Sequence, residues 1–267
     1  MTKFATPEEE WRAYLTGTHP AIIRGRRRFR FLPSGPRCRL CLAPFGAPGS
    51  LVFRRRGYSP WEKNPTMCKR CFVALANVDV RGTEIEVSML FADVRGSSKL
   101  ARQLPVRDFT QLMNRFYTTA TDVLIEGDAI IEKFVGDEVV GLFLPWLGQD
   151  HARRAVETAD RLLRATGHGS ADGPWLPLGA GVHTGTAFVG LVGPRGEASE
   201  FTALGEPMNT AAHLASQAAS GEILVTVQAA EAAALPDERL ERRHLSLKGH
   251  LVDAFVISEQ PAPSASG

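Results

Sequence analysis

Two aspartates and four cysteines are the residues here whose type and setting could do chemistry. Asp93 closes the run Val87-Ser88-Met89-Leu90-Phe91-Ala92-Asp93, and Val94-Arg95-Gly96-Ser97-Ser98 follows it. The first part is apolar and favours a strand, and a helical pattern begins after the second. A carboxylate is thus delivered to the end of a strand. Just beyond it lie the unpaired N–H groups of a helix start, which attract anions together with the helix dipole. Carboxylate and phosphate-seeking amides belong together when a divalent cation sits between them, Mg²⁺ above all. Asp93 alone reads equally well as a helix cap. Asp137 lies in Gly136-Asp137, between apolar runs that begin at Ala129 and end at Phe143. Glycine permits a tight turn there and aspartate tolerates it, so the segment reads as a hairpin. Paired beside the first strand, it brings Asp137 to Asp93, and two carboxylates can hold two metal ions about 3.5–4 Å apart. Taken alone, Asp137 is also a plain turn residue.

All four cysteines fall in Cys38-Arg39-Leu40-Cys41 and Cys68-Lys69-Arg70-Cys71. Two Cys-x-x-Cys pairs in a reducing compartment point to a metal rather than to disulfides. A tetrahedral Cys₄ Zn²⁺ site closes well from two such knuckles. The loop between them holds Pro44, Gly46, Pro48, Gly49, Gly57, Pro60 and Pro65 and needs that staple. An iron–sulfur cluster or a redox disulfide are the alternatives.

The elements that carry these residues are legible in pattern. Thr6-Pro7-Glu8-Glu9-Glu10 starts a helix over 7–16 that Gly17 ends. Residues 1–82 form a basic, zinc-binding-like module and linker. Arg24, Arg26, Arg27, Arg28 and Arg30 crowd it, and they read either as a patch for nucleic acid or another anionic surface, or as a solvated, flexible arm. Few aromatics are interleaved, so nucleic acid is not the expected partner. After a strand at 86–91 comes a helix over 106–125, with Phe109, Leu112, Met113, Phe116, Ala120, Val123 and Leu124 at helical spacing. The hairpin follows, then a helix over 151–166 and a glycine-broken, strand-rich stretch over 176–192. The order β-α-α-β-β-α-β is a split-βαβ pattern, and the fold class is α+β. His183, with no nucleophile near it in sequence, reads as structural. Net charge is +2, the start lacks the apolar core of a signal peptide, and no run approaches the length of a membrane span. The expectation is a soluble, cytoplasmic protein with a disordered tail at 259–267.

Several of these segments, in order, resemble the catalytic domain of class III adenylate/guanylate cyclases. They are Phe91-x-Asp93-Val94-x-Gly96, Lys133-x-x-Gly136-Asp137, the run from Phe201 through Thr202, Asn209 and His213 to Leu214, and Leu247-Lys248-Gly249. The resemblance covers about 83–258 and implies a ferredoxin-like cyclase fold. It implies two Mg²⁺ or Mn²⁺ ions on Asp93, Asp137 and the Val94 carbonyl, with Gly96 and Ser97 among the phosphate-binding amides. Lys248 matches the lysine on the terminal phosphates, and His250 stands where some members carry a second lysine. Lys133 and Thr202 match the base-reading pair, and their types favour ATP over GTP. Asn209 matches the ribose-orienting asparagine. His213 replaces the usual arginine, so a permanent, multi-donor charge is missing from the transition state. Each site in the family draws on two subunits, which implies a head-to-tail homodimer. The reaction implied is ATP to cyclic AMP and pyrophosphate. A catalytically weak nucleotide-binding module and a zinc-dependent nucleic-acid binder are the competing readings.

Overall fold

The computed structural model describes residues 4–32, 35–62, 64–194, 199–236, 240–247 and 250–258, without the side chains of Leu247 and His250. Lys248 and the tail at 259–267 lie outside the described residues. The chain divides into two compact units. The first comprises Met1–Glu86, Leu144–Gln149 and Thr186–Leu204, and the second Val87–Phe143, Asp150–Gly185 and Gly205–Gly267.

In the first unit, helix α1 (Pro7–Leu15) starts as its sequence dictates. The Thr6 hydroxyl accepts from the Glu9 N–H, proline occupies the first turn, and three glutamates meet the positive end of the dipole. Helix α2 (Pro20–Phe29) carries the arginines, which corrects the reading of that stretch as a flexible arm. It is anchored from one side. Arg26 donates to the Leu40 carbonyl at 2.8 Å and to the Trp146 carbonyl at 2.5 Å, and Phe29 is fully buried. Helix α3 (Gly49–Phe53) runs into a 3₁₀ turn over Arg54–Arg56. A short ribbon of β1 (Pro60–Trp61) and β2 (Asn64–Cys68) leads into α4 (Lys69–Ala76). The core of the unit draws in distant segments. The Trp11 indole N–H donates to the Val80 carbonyl at 2.6 Å, and its ring stacks on Phe201 at 6.5 Å.

From Gly82 onward the chain follows the expected β-α-α-β-β-α-β order, and of the elements that follow, the second unit holds all but the start of β3, the end of β6 and β7. Strand β3 (Gly82–Val94) is followed by α5 (Ser97–Gln103), α6 (Val106–Glu126), β4 (Ile130–Val135), β5 (Glu138–Phe143), α7 (His151–Ala165) and β6 (Leu178–Val192). Next come β7 (Glu200–Leu204), α8 (Glu206–Gln217), β8 (Glu222–Thr226), α9 (Val227–Ala233), β9 (Glu241–Leu247) and β10 (His250–Ser258). Strand order is β4-β5-β3-β6-β8-β10-β9, and β7 pairs off this path with residues 188–192 of β6. The β6–β8 pair is parallel, and β3–β5, β4–β5, β8–β10 and β9–β10 are antiparallel.

Helices α6 and α7 cover this sheet because their apolar residues recur at helical spacing. Met113, Phe116, Ala120, Val123 and Leu124 of α6 join Ala152, Ala155, Val156, Ala159, Leu162 and Leu163 of α7 in one core with Leu90, Ala92 and Val94 of β3. Phe109 and Leu112 pack against that core half-buried. His183 is structural, as expected: it is buried, and its Nδ1 lies 2.9 Å from the Thr226 hydroxyl.

Candidate active site and metal centre

Strand β3 carries Asp93 at its next-to-last position, directly opposite Glu138 on β5. Directly paired residues on antiparallel strands project to the same side, so the two carboxylates share a face. The hairpin between β4 and β5 closes in two residues, with Val135 paired to Glu138. Gly136 makes that possible: its φ is +61°, a conformation favoured by glycine at the first position of a hairpin turn. The Val94 N–H donates to the Asp137 carbonyl at 3.1 Å and pins the turn to the end of β3.

The electrostatics follow from crowding. Burial raises the Asp93 carboxyl above its ordinary range; the Arg95 charge pulls it back, and Asp137, close enough to hydrogen-bond it, pushes it up again. Glu138 is pushed up to about 7, first by burial and then by the Asp93 charge, with Lys133 opposing. Carboxylates gathered at partial burial repel one another, and a hard divalent cation with oxygen ligands relieves that repulsion. The Asp93–Asp137 pair is of the type that suits Mg²⁺ or Mn²⁺, and Glu138, on the same strand face, is a neighbouring carboxylate that sequence reading does not single out. The signal for Glu138 is its pairing with Asp93, which only the strand register reveals.

Two more residues bear on this corner. Arg95 forms an ion pair with Asp93 and donates to the carbonyls of Ser216, at 2.8 Å, and Ala218, at 3.3 Å. It therefore links the carboxylate strand to the carboxyl end of α8. Tyr117 of α6 donates its hydroxyl to the Gly136 carbonyl, and its ring lies 5.0 Å from that of Phe134. A cavity of about 400 Å³ adjoins the turn, lined by Ser97, Phe109, Met113, Tyr117, Gly136 and Asp137 among others. Gly96, in the left-handed region at φ +72°, precedes the first residue of α5, Ser97, so the expected phosphate-binding amides stand at a helix start.

Asn209 and His213 sit four residues apart on α8 and so share one face of it. Asn209 is exposed and His213 half-buried. Helix α8 approaches β6 closely because residue 181 is glycine. A Cβ there would come within 2.6 Å of the Ala211 carbonyl oxygen. Lys133 is exposed on β4, next to a β-bulge in which Glu132 is the extra residue. Bulges of this kind re-aim side chains beside functional sites. The Lys133 Nζ lies 3.4 Å from Glu132. Thr202 belongs to the first unit, half-buried on β7 opposite Gly190.

The cysteines also converge. Their sulfurs lie within 4.8 Å of one another, and all four are buried. Cys38 and Cys71 sulfurs are 3.9 Å apart, and those of Cys41 and Cys68 3.8 Å. A tetrahedral ion with metal–sulfur bonds of about 2.3 Å requires sulfurs roughly 3.8 Å apart. Both of these pairs join one knuckle to the other, as a shared ion demands. The Cys68 N–H points to the Cys38 sulfur at 3.3 Å and the Cys71 N–H to the Cys68 sulfur at 3.4 Å, contacts that favour thiolates. Burial works against a thiolate at Cys38, yet its three neighbours hold it well below the ordinary thiol range; donation to Cys38 pushes Cys41 up. The set fits a single tetrahedral ion.

Comparison with known proteins bears on the second unit above all. Residues 81–259 match the family model described as the adenylate and guanylate cyclase catalytic domain. The uncharacterized protein Rv1318c of Mycobacterium tuberculosis is 34% identical over 179 residues, which cover 63% of this chain and 31% of that protein. The chain thus spans about a third of the length of this relative. The terminal-differentiation specific adenylate cyclase of Dictyostelium discoideum is 27% identical over 128 residues, 47% of this chain and 6% of that one. Among solved structures, the guanylyl cyclase Cya2 superposes with a TM-score of 0.58 at 25% identity, over 70% of this chain and 98% of its own. The adenylyl cyclase CyaB of P. aeruginosa gives 0.57 at 22% identity, over 68% and 98%, a likeness of fold. With its split-βαβ order, its paired aspartates and a family match over most of its length, the chain belongs to the adenylate and guanylate cyclase catalytic-domain family.

Proposed function

We propose that this chain is an adenylate cyclase. The 3′-oxygen of ATP attacks the α-phosphorus, the bond from that phosphorus to pyrophosphate breaks, and the hydroxyl proton is released, leaving 3′,5′-cyclic AMP. The observation that carries this reading is the convergence of Asp93 and Asp137 at the end of β3, tied by the Val94-to-Asp137 hydrogen bond. Asp93, Asp137 and the Val94 carbonyl would hold Mg²⁺ or Mn²⁺, which supplies charge neutralisation at the phosphates and a more acidic ribose hydroxyl. The amides of Gly96 and Ser97 and the Lys248 ammonium bind the phosphates. Lys133 donates to the adenine ring and the Thr202 hydroxyl accepts from its amino group; guanine offers a carbonyl in that place, which favours ATP. Asn209 orients the ribose. A head-to-tail homodimer brings the metal-binding residues of one protomer to the base-reading residues of its partner. One Zn²⁺ per chain, on Cys38, Cys41, Cys68 and Cys71, staples the amino-terminal module, a role that the sulfur spacing supports.

The test is turnover with ATP and GTP side by side, with Mg²⁺ and with Mn²⁺. Cyclic AMP as the main product supports the proposal, and preferential cyclic GMP formation sinks the base assignment. His213 motivates a second reading, a nucleotide-binding signalling module of weak activity. A neutral imidazole offers one donor where a guanidinium offers several and a fixed charge. ATP binding without product in the same assay selects this second reading.

A further inference from the structure

Charge in this chain is segregated. Between Ala21 and Val78 lie 13 of the 31 lysines and arginines but only one of the 29 aspartates and glutamates, Glu62. That stretch carries a formal charge of +12, and the rest of the chain −10. The cyclase reading leaves this concentration unused.

The fold gathers part of these cations, those at the end of α2, in the 3₁₀ turn and at the start of α4, onto one part of the first unit. Phe29, at the end of α2, packs edge-on against Phe53 at 5.0 Å and Tyr58 at 5.1 Å. That trio holds the end of α2 to α3 and the 3₁₀ turn that follows it. The Arg70 N–H donates to the Gly57 carbonyl and the Lys69 N–H to the Ser59 carbonyl, both at 2.9 Å, so the start of α4 joins them. The guanidinium of Arg28 lies over Phe53 at 5.6 Å, that of Arg70 over Tyr58 at 5.2 Å, and that of Arg30 over Phe31 at 4.3 Å. Arg54, Arg55 and Arg56 are exposed beside them.

Among these cations stand large apolar side chains that the fold leaves outside. Leu51 is 76% exposed, Phe31 75% and Val52 57%. Leu51 and Val52 immediately precede Phe53 and the three arginines. Their aliphatic side chains have no hydrogen bond to give a base or a phosphate. The aromatic rings that could stack on bases are spent inside the unit, apart from Phe31. Cations ringing exposed aliphatic tips match the interface of an anionic bilayer, which offers phosphates outside and an apolar layer just beneath.

We propose that the first unit docks on anionic lipid surfaces through this face, with Leu51, Val52 and Phe31 entering the interfacial layer and the surrounding arginines meeting headgroup phosphates. Docking of this kind is by side chains at the surface, and no helix among the described residues is long and apolar enough to cross a membrane.

The experiment is co-sedimentation of the full chain with vesicles of phosphatidylcholine alone or mixed with phosphatidylglycerol. Binding should be at least about tenfold stronger to the mixed vesicles, given several cations near the surface. Raising salt from about 0.1 to 1 M shortens the screening length from about 10 to 3 Å and should release most of the bound protein. Leu51→Asp with Val52→Asp should weaken binding at low salt by about tenfold or more, since it deletes apolar insertion and adds repulsion. Arg54→Gln, Arg55→Gln and Arg56→Gln together should do the same while leaving the apolar tips in place. Circular dichroism, which should match the wild type, confirms that these surface variants fold. Equal binding to both vesicle types, undiminished binding by the aspartate variant, or retention on single-stranded RNA or duplex DNA with none on vesicles would overturn the proposal.

Discussion

The two clusters of metal-binding residue types in this chain are built on opposite plans. The four cysteines are sealed, each no more than 5% exposed, and two four-residue knuckles supply them all. The carboxylates are open. The Asp93 side chain is 25% exposed, Asp137 and Glu138 are half-buried, and a cavity of about 400 Å³ adjoins the turn. A closed sulfur cage suits an ion that holds a fold together, whereas an open oxygen set leaves room for a substrate. The difference teaches where each site stores its information. The sulfur site is written in local spacing and depends on little else. The carboxylate site exists only when β3, the β4–β5 hairpin and α6 are all in place.

The sharpest way to break that contrast is to remove one carboxylate. Asp93→Ala or Asp137→Ala should cut cyclic nucleotide formation by about 10³-fold, the scale of losing a major electrostatic stabiliser, while metal content at the cysteines stays unchanged. Both readouts come from one preparation. Near-normal turnover in either variant defeats the two-metal assignment.

The converse change strikes the other site. Cys38→Ser with Cys68→Ser should abolish zinc retention and unfold the amino-terminal module, because metal binding there is folding free energy. Elemental analysis should find about one zinc per wild-type chain and none in the variant. A coloured, iron-containing wild type would replace zinc in the assignment.

How much of this was legible beforehand follows the same divide. Cys-x-x-Cys spacing, the buried faces of α6 and α7 and the Gly136-Asp137 turn are local patterns, and each appears where the sequence placed it. Glu138 lies within the hairpin, but no local pattern singles it out, because its pairing with Asp93 is a matter of strand register. The bonds from Arg95 to Ser216 and from Tyr117 to Gly136 are not local patterns either, since each reaches a different element. The arginines of α2 read as an arm because exposed basic residues mask a short helix; the buried Ile22 and Phe29 are all that anchor its pattern. Nor does any local signal announce that Leu144–Gln149 and Thr186–Leu204 belong to the first unit.

Within the second unit, His213→Arg should raise kcat by about 10²-fold with little change in KM, since the restored donors act in the transition state. Steady-state kinetics with ATP decide it. Unchanged or lower kcat in a correctly assembled protein would mean that His213 does not stand where the family's arginine stands.

A smaller effect concerns stability. Burial lowers the affinity of His183 for a proton, against an opposing pull from Glu206, and burial likewise lowers His168. Both are therefore neutral in the fold at pH values where the unfolded chain begins to take up protons, near about 6.5. Stability is full above that value and declines as pH falls through it. The raised Glu138 carboxyl works the other way over the same range, so the test is the gap in melting temperature between pH 7.5 and 5.5, which should shift in His183→Gln because that variant loses less on acidification than the wild type. A gap equal to the wild type's in that variant would remove His183 from the account.

The finest test separates holding the carboxylate turn from building it. Tyr117 reaches from α6 to the Gly136 carbonyl, so its hydroxyl steadies the residue next to Asp137 without facing the substrate's reacting atoms in the proposed chemistry. Tyr117→Phe keeps the ring that packs on Phe134 and deletes one hydrogen bond, worth about 0.5–1.5 kcal/mol, or roughly two- to tenfold. If the bond positions Asp137, the loss should appear in metal activation. The Mn²⁺ concentration for half-maximal turnover should rise by that factor, while kcat at saturating metal and KM for ATP stay close to wild type. A merely structural tyrosine would lower the melting temperature and leave the metal titration where it was. A fall in kcat that saturating metal does not restore would place Tyr117 in the reaction itself and not behind it.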